Sequence, residues 1–349
     1  MPGTASSLAT FIARLPKAEL HVHLEGSARP ETLRELAHRK RRLKKETEDW
    51  IRQRTRQGFR YRDFIDFLTA FKLVTLLLET PEDYGLVTTR LVEWLASQNV
   101  RYAEVTLAAG VILWKKQPLE AIFEASSAAA RAAEARFGVR LNWIFDVIRH
   151  YGPEPARPVF DAAVRFREQG VVAFGIGGDE VRGPVELFAG VAREARERGL
   201  HVVAHAGETV GPESIRRAVE SVGAERIGHG FTAAQDASVL ALIRERHIPL
   251  EVCPTSNVAT GLLRRLADHP LPKFLAAGIE VTLNSDDPAM FGTSLEGEYL
   301  AAAEQFALSR DQILRLYASS FQASFLPEEE KPVFLKALWQ AAATNRAET

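Results

Sequence analysis

The chain has 349 residues, of which 46% are hydrophobic and 26% are charged, and its formal net charge is −1. This balance is typical of a globular protein, and it excludes the strong overall field that attracts nucleic acid or an anionic membrane surface. The single cysteine, Cys253, excludes an intramolecular disulfide and a cysteine-based zinc cage.

Short β-rich runs recur along the chain, and most are separated by about 20 to 30 residues with the periodicity of amphipathic helices. This alternation predicts parallel strands with crossover helices. Eight such units, with no glycine-rich dinucleotide fingerprint after the first strand, favour one closed TIM-type (β/α)8 barrel over residues 1–349 rather than an open sheet. The predicted strands are 18–23, 101–107, 141–148, 171–176, 201–205, 226–229, 249–252 and 280–284.

The first connection is much longer than a crossover needs. Nearly 80 residues separate strands one and two, and we expect a helical insertion at about 30–97, emerging on the C-terminal face where barrel active sites are assembled. Phe64, Phe67, Leu68 and Phe71 follow the i, i+3, i+4, i+7 spacing of one helix face. Such a stripe can pack the insertion onto the barrel, line a pocket, or do both.

Polar clusters fall at the C-terminal ends of the predicted strands. His21 and His23 lie two residues apart on strand one, so both imidazoles can face inward. Strand five ends at His205, with Glu208 in the turn that follows, and strand six ends at His229.

Two further clusters follow strands four and eight. Gly177 and Gly178, in the sequence GGDE, let the backbone approach a ligand closely. The adjacent carboxylates Asp286 and Asp287 repel each other unless a positive group offsets them. The proline after Asp287 favours extended backbone there, so one carboxylate can bind metal while the other meets substrate.

Three imidazoles and one carboxylate on a common rim suit Zn²⁺ with an open position for water. Bound zinc lowers the pKa of water toward about 7, and Glu208 and His229 are placed to move protons and orient the water. Amide hydrolysis, phosphoester hydrolysis and ring deamination all remain open. An HExxH helix is absent, strand four has no lysine to bridge two metals, and a single cysteine excludes the PCxxC deaminases.

The composition also predicts where the protein works. One cysteine suits the reducing cytoplasm, the first residues lack the pattern of a secretory signal, and the apolar cluster at 73–78 is too short to span a bilayer. The basic run RKRRLKK at 39–45 is interpreted as a solvated helix face. We expect a cytoplasmic protein without a nucleic-acid or membrane partner, and the oligomeric state stays undetermined.

Six segments, in order over nearly the whole chain, resemble the adenosine deaminase family of adenine-nucleoside aminohydrolases. They are LPKAELHVHLEGS, GIGGDE, HAGETVGPESI, ERIGHG, PTSN and LNSDDP. The resemblance implies a zinc-containing β/α barrel whose small-molecule partner is a purine nucleoside. It also implies a reaction that replaces an exocyclic 6-amino group by oxygen and releases ammonia.

The resemblance also implies roles for individual residues. One Zn²⁺ per chain would be held by His21, His23, His205 and Asp286. Glu208 is similar to the acid that protonates ring N1, and His229 to the group that orients the attacking hydroxide and stabilises the charge developing on it. Five further residues match positions for substrate binding: Asp287 facing purine N7, the Gly178 amide donating to N3, and Phe64, Phe67 and Phe71 forming a hydrophobic lid.

Two departures bear on the substrate. Glu25 stands where adenosine-specific members have an aspartate near the ribose 5′-hydroxyl, and Gly175 stands where they have another aspartate. Adenine deaminases also carry the glutamate, but they tend to have SAE where this chain has GDE. A nucleoside without an ordinary 5′-hydroxyl would reconcile these observations.

The segment AEVTLAAGVILWKK at 103–116 is similar to that of 6-aminodeoxyfutalosine deaminases of bacterial menaquinone biosynthesis, a branch of the family. That branch is favoured, and Arg101, Lys115 or Lys116 is predicted to meet a carboxylate on the 5′ extension of its substrate. Adenosine and adenine remain alternatives. So do a non-catalytic nucleoside-binding barrel and an unrelated barrel that works with two carboxylates.

Overall fold

The computed structural model describes residues 3–40, 45, 48–49, 53 and 61–347. Its eight strands form one parallel sheet in sequential order. This confirms the predicted (β/α)8 barrel and all eight strand assignments. The strands are β1 (Lys17–His23), β2 (Val100–Leu107), β3 (Arg140–Ile148), β4 (Val171–Gly177), β5 (His201–Ala206), β6 (Arg226–His229), β7 (Leu250–Val252) and β8 (Val281–Leu283).

The barrel closes between β1 and the residues that follow β8. The Asp286 amide donates to the His21 carbonyl, and the His23 amide donates to the Asp286 carbonyl, each at 2.9 Å. Lower in the seam, the Leu20 amide donates to Asn284 Oδ1 at 3.0 Å. The last strand is therefore joined to the first by residues that also belong to the polar rim.

Helices surround the barrel, and none in the described part of the chain is long and apolar enough to cross a membrane. The α-helices are Gly3–Arg14, Pro30–Lys40, Phe64–Leu77, Pro81–Ser97, Ala109–Trp114, Leu119–Phe137, Ala156–Arg165, Ala189–Glu197, Glu213–Arg217, Ala237–Glu245, Pro254–Ala259, Leu271–Ala276, Pro288–Phe291, Leu295–Gln305, Arg310–Gln322 and Lys331–Ala347. Short 3₁₀ turns include Glu25–Ser27 and Arg149–Tyr151, and a π-helical turn spans Ala218–Val222.

The long connection after β1 contains two kinds of helix. Phe64–Leu77, which we call the lid helix, lies over the C-terminal face and begins at Asp63, whose side chain accepts a bond from the Asp66 amide. Pro81–Ser97, which the predicted range of about 30–97 included, packs in the outer ring against Leu119–Phe137. It begins with a capping box between Thr80 and Asp83. In the basic run 39–45, residues 41–44 lie outside the described residues.

The barrel interior carries a buried charge network below the rim. The Arg226 guanidinium, only 1% exposed, donates to Glu251 Oε1 at 2.5 Å and also pairs with Glu104. Its third partner is the Ala323 carbonyl, at 2.9 Å. Since Glu251 in turn binds His21 Nδ1 at 2.7 Å, the network connects the core of the barrel to the rim.

Arg226→Met should lower the free energy of unfolding by about 3–5 kcal/mol, because it leaves two buried carboxylates without their cation. Urea denaturation followed by circular dichroism measures the change. Arg157→Met is the matched control, since Arg157 pairs with Glu194 at the surface and its loss should have little effect. Equal stability of the two variants would show that the buried network does not stabilise the barrel.

Candidate active site

The carboxyl ends of β1 and β8 bring two histidines and a carboxylate together. His21 Nε2 lies 3.4 Å and His23 Nε2 lies 3.3 Å from Asp286 Oδ1. The two imidazole rings are 5.4 Å apart. All three residues are less than 10% exposed. The pairing expected from residues two apart on one strand is therefore realised.

β5 and β6 supply the opposite side of the cluster. The His205 ring lies 4.7 Å from the His21 ring and 5.1 Å from that of His229. His229 Nε2 lies 3.4 Å from Glu208 Oε1, and His205 Nδ1 lies 4.0 Å from the other Glu208 oxygen. The six residues assigned to metal binding or proton transfer thus share one rim.

The cluster fits a divalent metal ion. Ligand atoms of His21, His205 and His229 lie within 4.8 Å of one another, as do those of His23, Asp286 and Asp287. His21 Nε2 is buried without a hydrogen-bond partner among the described residues. Burial lowers the pKa of His23 to about 4, so its imidazole is neutral near pH 7 and able to bind a metal.

A second layer of side chains holds the potential ligands in place. Glu251 Oε2 lies 2.7 Å from His21 Nδ1, which leaves Nε2 facing the cluster. The hydroxyl of Ser256 donates to Asp286 Oδ2 at 2.7 Å, and Asn257 Nδ2 lies 3.4 Å from His229 Nδ1. The PTSN segment therefore supports two site residues, a role that sequence reasoning did not assign to it.

Backbone conformation also marks this rim. His229 and Asp286 have φ values of 61° and 62°, in the left-handed region that non-glycine residues rarely adopt. Such conformations cost on the order of 1–3 kcal/mol each and persist only where the surrounding structure enforces them. Here the enforcing contacts include the strand pairing of Asp286 with β1.

Glu180 holds the turn after β5. Its carboxylate accepts bonds from four consecutive amides, of residues 207–210, at 2.6 to 3.2 Å, and from the Ser214 hydroxyl at 2.7 Å. These bonds fix the backbone that carries Glu208. The sequence placed Glu180 in the GGDE cluster but did not indicate this function, because its partners lie on a different strand–helix unit.

The surroundings of Glu208 favour its protonated form. Burial, followed by the negative charges of Asp286 and Glu180, raises the pKa of this carboxyl well above its usual range. Burial lowers the pKa of His229 to about 3, so the imidazole beside it is neutral. The site therefore holds a buried acid in contact with a neutral histidine.

A cavity of about 340 Å³ opens above this cluster, a size within the range of small-molecule sites. Phe64, Phe67 and Phe71 of the lid helix line it. Phe71 lies edge-on to His23, with ring centres 6.2 Å apart, while Phe67 packs on Phe291 at 5.1 Å. The stripe both packs the lid helix and walls the cavity.

The two residues expected to bind the base lie on the cavity wall. Asp287 Oδ1 is buried without a hydrogen-bond partner among the described residues. A Cβ atom at Gly26 would lie only 1.6 Å from that oxygen, so the glycine of HLEGS leaves room for the Asp287 carboxylate. Gly178, with φ of 94°, also lines the cavity.

Glu25 departs from its expected position. It is completely buried, its Oε1 accepts a bond from the Ala108 amide at 3.2 Å, and it does not line the cavity. Ala108 lines the cavity, and the Glu25 carboxylate lies behind it with Oε2 lacking a hydrogen-bond partner among the described residues. The HLEGS motif placed Glu25 just after β1, but it did not predict that the backbone of Ala108 would pack against the Glu25 carboxylate.

The three cations that were predicted to meet a substrate carboxylate also lie outside the cavity lining. Arg101 lies at the start of β2, at the opposite end of the barrel from the rim. Lys115 Nζ donates to the carbonyls of Thr75 and Leu78, the latter at 2.6 Å, and so caps the C-terminus of the lid helix. Lys116 is exposed and does not line the cavity. The prediction for these cations is therefore wrong.

Asp146 is a cavity residue that the sequence did not single out. It lies on β3 in register with Gly175 of β4, and a Cβ atom on Gly175 would lie 2.8 Å from its Oδ1. Its carboxyl therefore occupies the space that a side chain at Gly175 would need. Burial and the charge of Glu25 raise its pKa to about 8. A buried carboxyl on β3 thus stands beside Gly175 of β4.

Comparison with known proteins agrees with this geometry. The family model described as "Adenosine deaminase" matches residues 16–341. Aminodeoxyfutalosine deaminases of Streptomyces coelicolor and Streptomyces avermitilis are 42% and 43% identical to the chain, each over 93% of it and over 84% and 90% of their own lengths. An adenine deaminase of Cupriavidus taiwanensis is 34% identical over 95% of this chain and 93% of its own.

A solved structure shows the same architecture. The crystal structure of an adenine deaminase from Arthrobacter aurescens superposes with a TM-score of 0.87 at 31% identity, covering 93% of this chain and 98% of that one. The metal-dependent character of the family agrees with the cluster of histidine and aspartate ligand atoms.

Asp286→Ala should abolish stoichiometric metal binding, because it removes a carboxylate that faces both histidines of β1. Metal content by plasma emission spectrometry measures this, with circular dichroism to confirm folding. Ser256→Ala should weaken metal affinity roughly 10- to 100-fold through the lost support of Asp286.

Cys253→Ala is the matched control, since Cys253 Sγ lies within 4.8 Å of ligand atoms of His21 and Asp286. Because we expect this buried thiol not to bind the metal, its removal should leave the metal content unchanged. Retained stoichiometric metal in Asp286→Ala, or its loss in Cys253→Ala, would contradict the assigned ligands.

Proposed function

Because this chain belongs to the adenosine deaminase family, we propose that it hydrolyses the 6-amino group of an adenine nucleoside at the rim cluster. Water supplies the oxygen that replaces nitrogen at C6, and ammonia leaves. The observation that carries the proposal is Glu208, a buried acid 3.4 Å from His229 and next to a set of metal-ligand atoms. A non-catalytic barrel would not need this acid, and it is present.

We assign one Zn²⁺ per chain to His21, His23, His205 and Asp286. Three imidazoles and one carboxylate are a donor set that suits zinc. When bound, zinc lowers the pKa of a water ligand toward about 7 and so supplies a nucleophile at neutral pH.

Glu208 is the proton donor in this proposal. Because burial raises the pKa of its carboxyl well above the usual range, this group is suited to carry a proton to N1 of the purine. Protonation at N1 breaks the aromatic stabilisation of the ring and makes C6 electrophilic. His229, neutral and in contact with Glu208, orients the attacking oxygen and stabilises the charge that develops on it.

The base is oriented by groups on two other strand ends. Asp287 has an unpartnered buried oxygen to offer to N7, and burial with the charge of Asp286 raises its pKa, so it can donate a proton in a hydrogen bond. The Gly178 amide is assigned to N3. Phe64, Phe67 and Phe71 cover the base and exclude water, which strengthens these electrostatic contacts.

The proposed physiological substrate is 6-aminodeoxyfutalosine, which would be converted to futalosine in menaquinone biosynthesis in the cytoplasm. The two aminodeoxyfutalosine deaminases are 42–43% identical to this chain, whereas the adenine deaminase of Cupriavidus taiwanensis is 34% identical. The displacement of polar groups at Glu25 and Gly175 supports a substrate without an ordinary 5′-hydroxyl. Adenosine is the second candidate, since the residues proposed for the reaction serve it equally.

Glu208→Gln should keep its zinc but lower kcat by roughly 10²- to 10⁴-fold, because glutamine has the shape of the acid but no proton to give to N1. Ammonia release and metal content are measured on the same preparation. Full activity in this variant would exclude Glu208 as the essential acid. Loss of zinc would instead indicate a structural role.

Wild-type protein should show a higher kcat/KM for 6-aminodeoxyfutalosine than for adenosine, because the latter leaves the outer part of the cavity unfilled. A panel of 6-aminopurines with and without 5′ substituents, scored by ammonia release, makes the comparison. A clear preference for adenosine would reject the proposed substrate while leaving the reaction intact.

A further inference from the structure

The end of the barrel opposite the rim is covered by a short piece of chain that follows the helix Arg310–Gln322. We call residues 323–325 the floor segment. The ring of Phe325 contacts His201 and Arg226, which are the first residues of β5 and β6. Phe325 also packs on three buried side chains of the barrel, which are Ile144, Ala173 and Val203. The floor segment therefore reaches the barrel interior from below.

The Phe325 ring lies between an arginine and a histidine. The guanidinium carbon of Arg226 lies 3.8 Å from the centre of the ring. The His201 ring is 4.0 Å away, with 4° between the two ring planes. Two groups this close to one ring centre must occupy opposite faces, so the three groups form a stack. A planar guanidinium is attracted to an aromatic face, and this contact fixes the position of the Arg226 side chain.

The backbone of the floor segment also binds the charge network of the barrel. Arg226 Nη1 donates to the Ala323 carbonyl at 2.9 Å. Glu104 Oε1 accepts bonds from the Phe325 amide at 2.6 Å and from the Tyr102 hydroxyl at 2.8 Å. The other Glu104 oxygen accepts a bond from Arg226 Nη2. A carbonyl, a carboxylate and an aromatic ring thus hold the guanidinium in one place.

The Arg226 guanidinium is connected to the rim through one carboxylate. Its Nε donates to Glu251 Oε1, and Glu251 Oε2 lies 2.7 Å from His21 Nδ1. The carboxylate is planar, so it cannot turn away from the arginine without also leaving the imidazole. The position of Arg226 therefore sets the orientation of Glu251, and Glu251 sets the orientation of the His21 ring. All three side chains are almost completely buried, so water does not compete for these bonds.

We propose that the floor segment positions the His21 imidazole, and so sets the metal affinity of the site, by holding Arg226 against Glu251. The inference rests on the proposed function, because the metal concerned is the Zn²⁺ assigned there to His21. Arg226 and Phe325 are positioning residues, since neither lines the cavity. Partners of the second ring nitrogen fix a metal-binding imidazole, and their loss weakens metal binding. The chain after the last barrel strand thus supports a ligand on the first.

The test measures Zn²⁺ affinity, by competition with a chromogenic chelator, in three variants at increasing distance from His21. Glu251→Gln should weaken binding roughly 10- to 100-fold, because it removes the carboxylate that bridges the arginine and the imidazole. Arg226→Lys should weaken it roughly tenfold, since lysine keeps the charge but cannot bond two carboxylates and a carbonyl together. Phe325→Leu should weaken it about three- to tenfold, because leucine fills the space without stacking on the guanidinium. In each variant the visible spectrum of the Co²⁺-loaded protein should also change, since it reports ligand geometry.

Phe160→Leu is the matched control, because Phe160 is a buried ring that also contacts a guanidinium, with the Arg157 carbon 4.9 Å from its centre. It loses the same atoms and the same kind of contact as Phe325→Leu, but on an outer helix. Urea denaturation should show that both variants are destabilised, whereas Phe160→Leu should keep the Zn²⁺ affinity and the Co²⁺ spectrum of the wild type. Wild-type affinity in Phe325→Leu, or an equal loss in Phe160→Leu, would overturn the inference.

NMR of isotope-labelled histidine in the metal-free protein separates this inference from the proposed function. The shifts of the two His21 ring nitrogens report its tautomer and its contact with Glu251. If the wild type binds no Zn²⁺, yet these shifts change in Phe325→Leu and not in Phe160→Leu, the zinc assignment fails and the positioning of His21 stands. If Zn²⁺ is bound and ammonia is released, but neither Zn²⁺ affinity nor the His21 shifts depend on Arg226 or Phe325, the positioning fails and the proposed reaction stands.

Discussion

The seam between β1 and β8 is the constraint on which the site depends. Asp286 pairs through its backbone with His21 and His23, and its carboxylate faces both imidazoles. The same residue therefore closes the barrel and contributes a potential metal ligand. Its left-handed backbone conformation is a cost that strand pairing offsets, so the ligand geometry cannot relax without opening the barrel.

Burial governs the protonation of the site in both directions. It lowers the pKa of His23 to about 4 and that of His229 to about 3, and it raises the pKa of the Glu208 carboxyl well above its usual range. The adjacent carboxylates differ in their surroundings: the histidines lower the pKa of Asp286, whereas burial and the charge of Asp286 raise the pKa of Asp287. One low-dielectric environment thus assigns different roles to chemically identical groups.

The two parts of the cavity differ in how they are built. Inner residues lie at strand ends and are held by buried partners such as Glu180, Glu251 and Ser256. The outer wall is made from the lid helix and from turns after β2, β3 and β4, which can change without disturbing the strands. A reaction common to a family can in this way be combined with a substrate preference particular to one chain.

The sequence by itself determined the barrel, because strand periodicity and the spacing of crossover helices are local properties. It also determined the polar rim, because strand ends in this fold meet at one face. Only the tertiary structure decided how contacts form between separate strand–helix units. Examples are Glu25 behind Ala108, Arg101 at the far end of the barrel, Asp146 beside Gly175, and Lys72 beside Trp114. These depend on strand register and loop path, which no local pattern encodes.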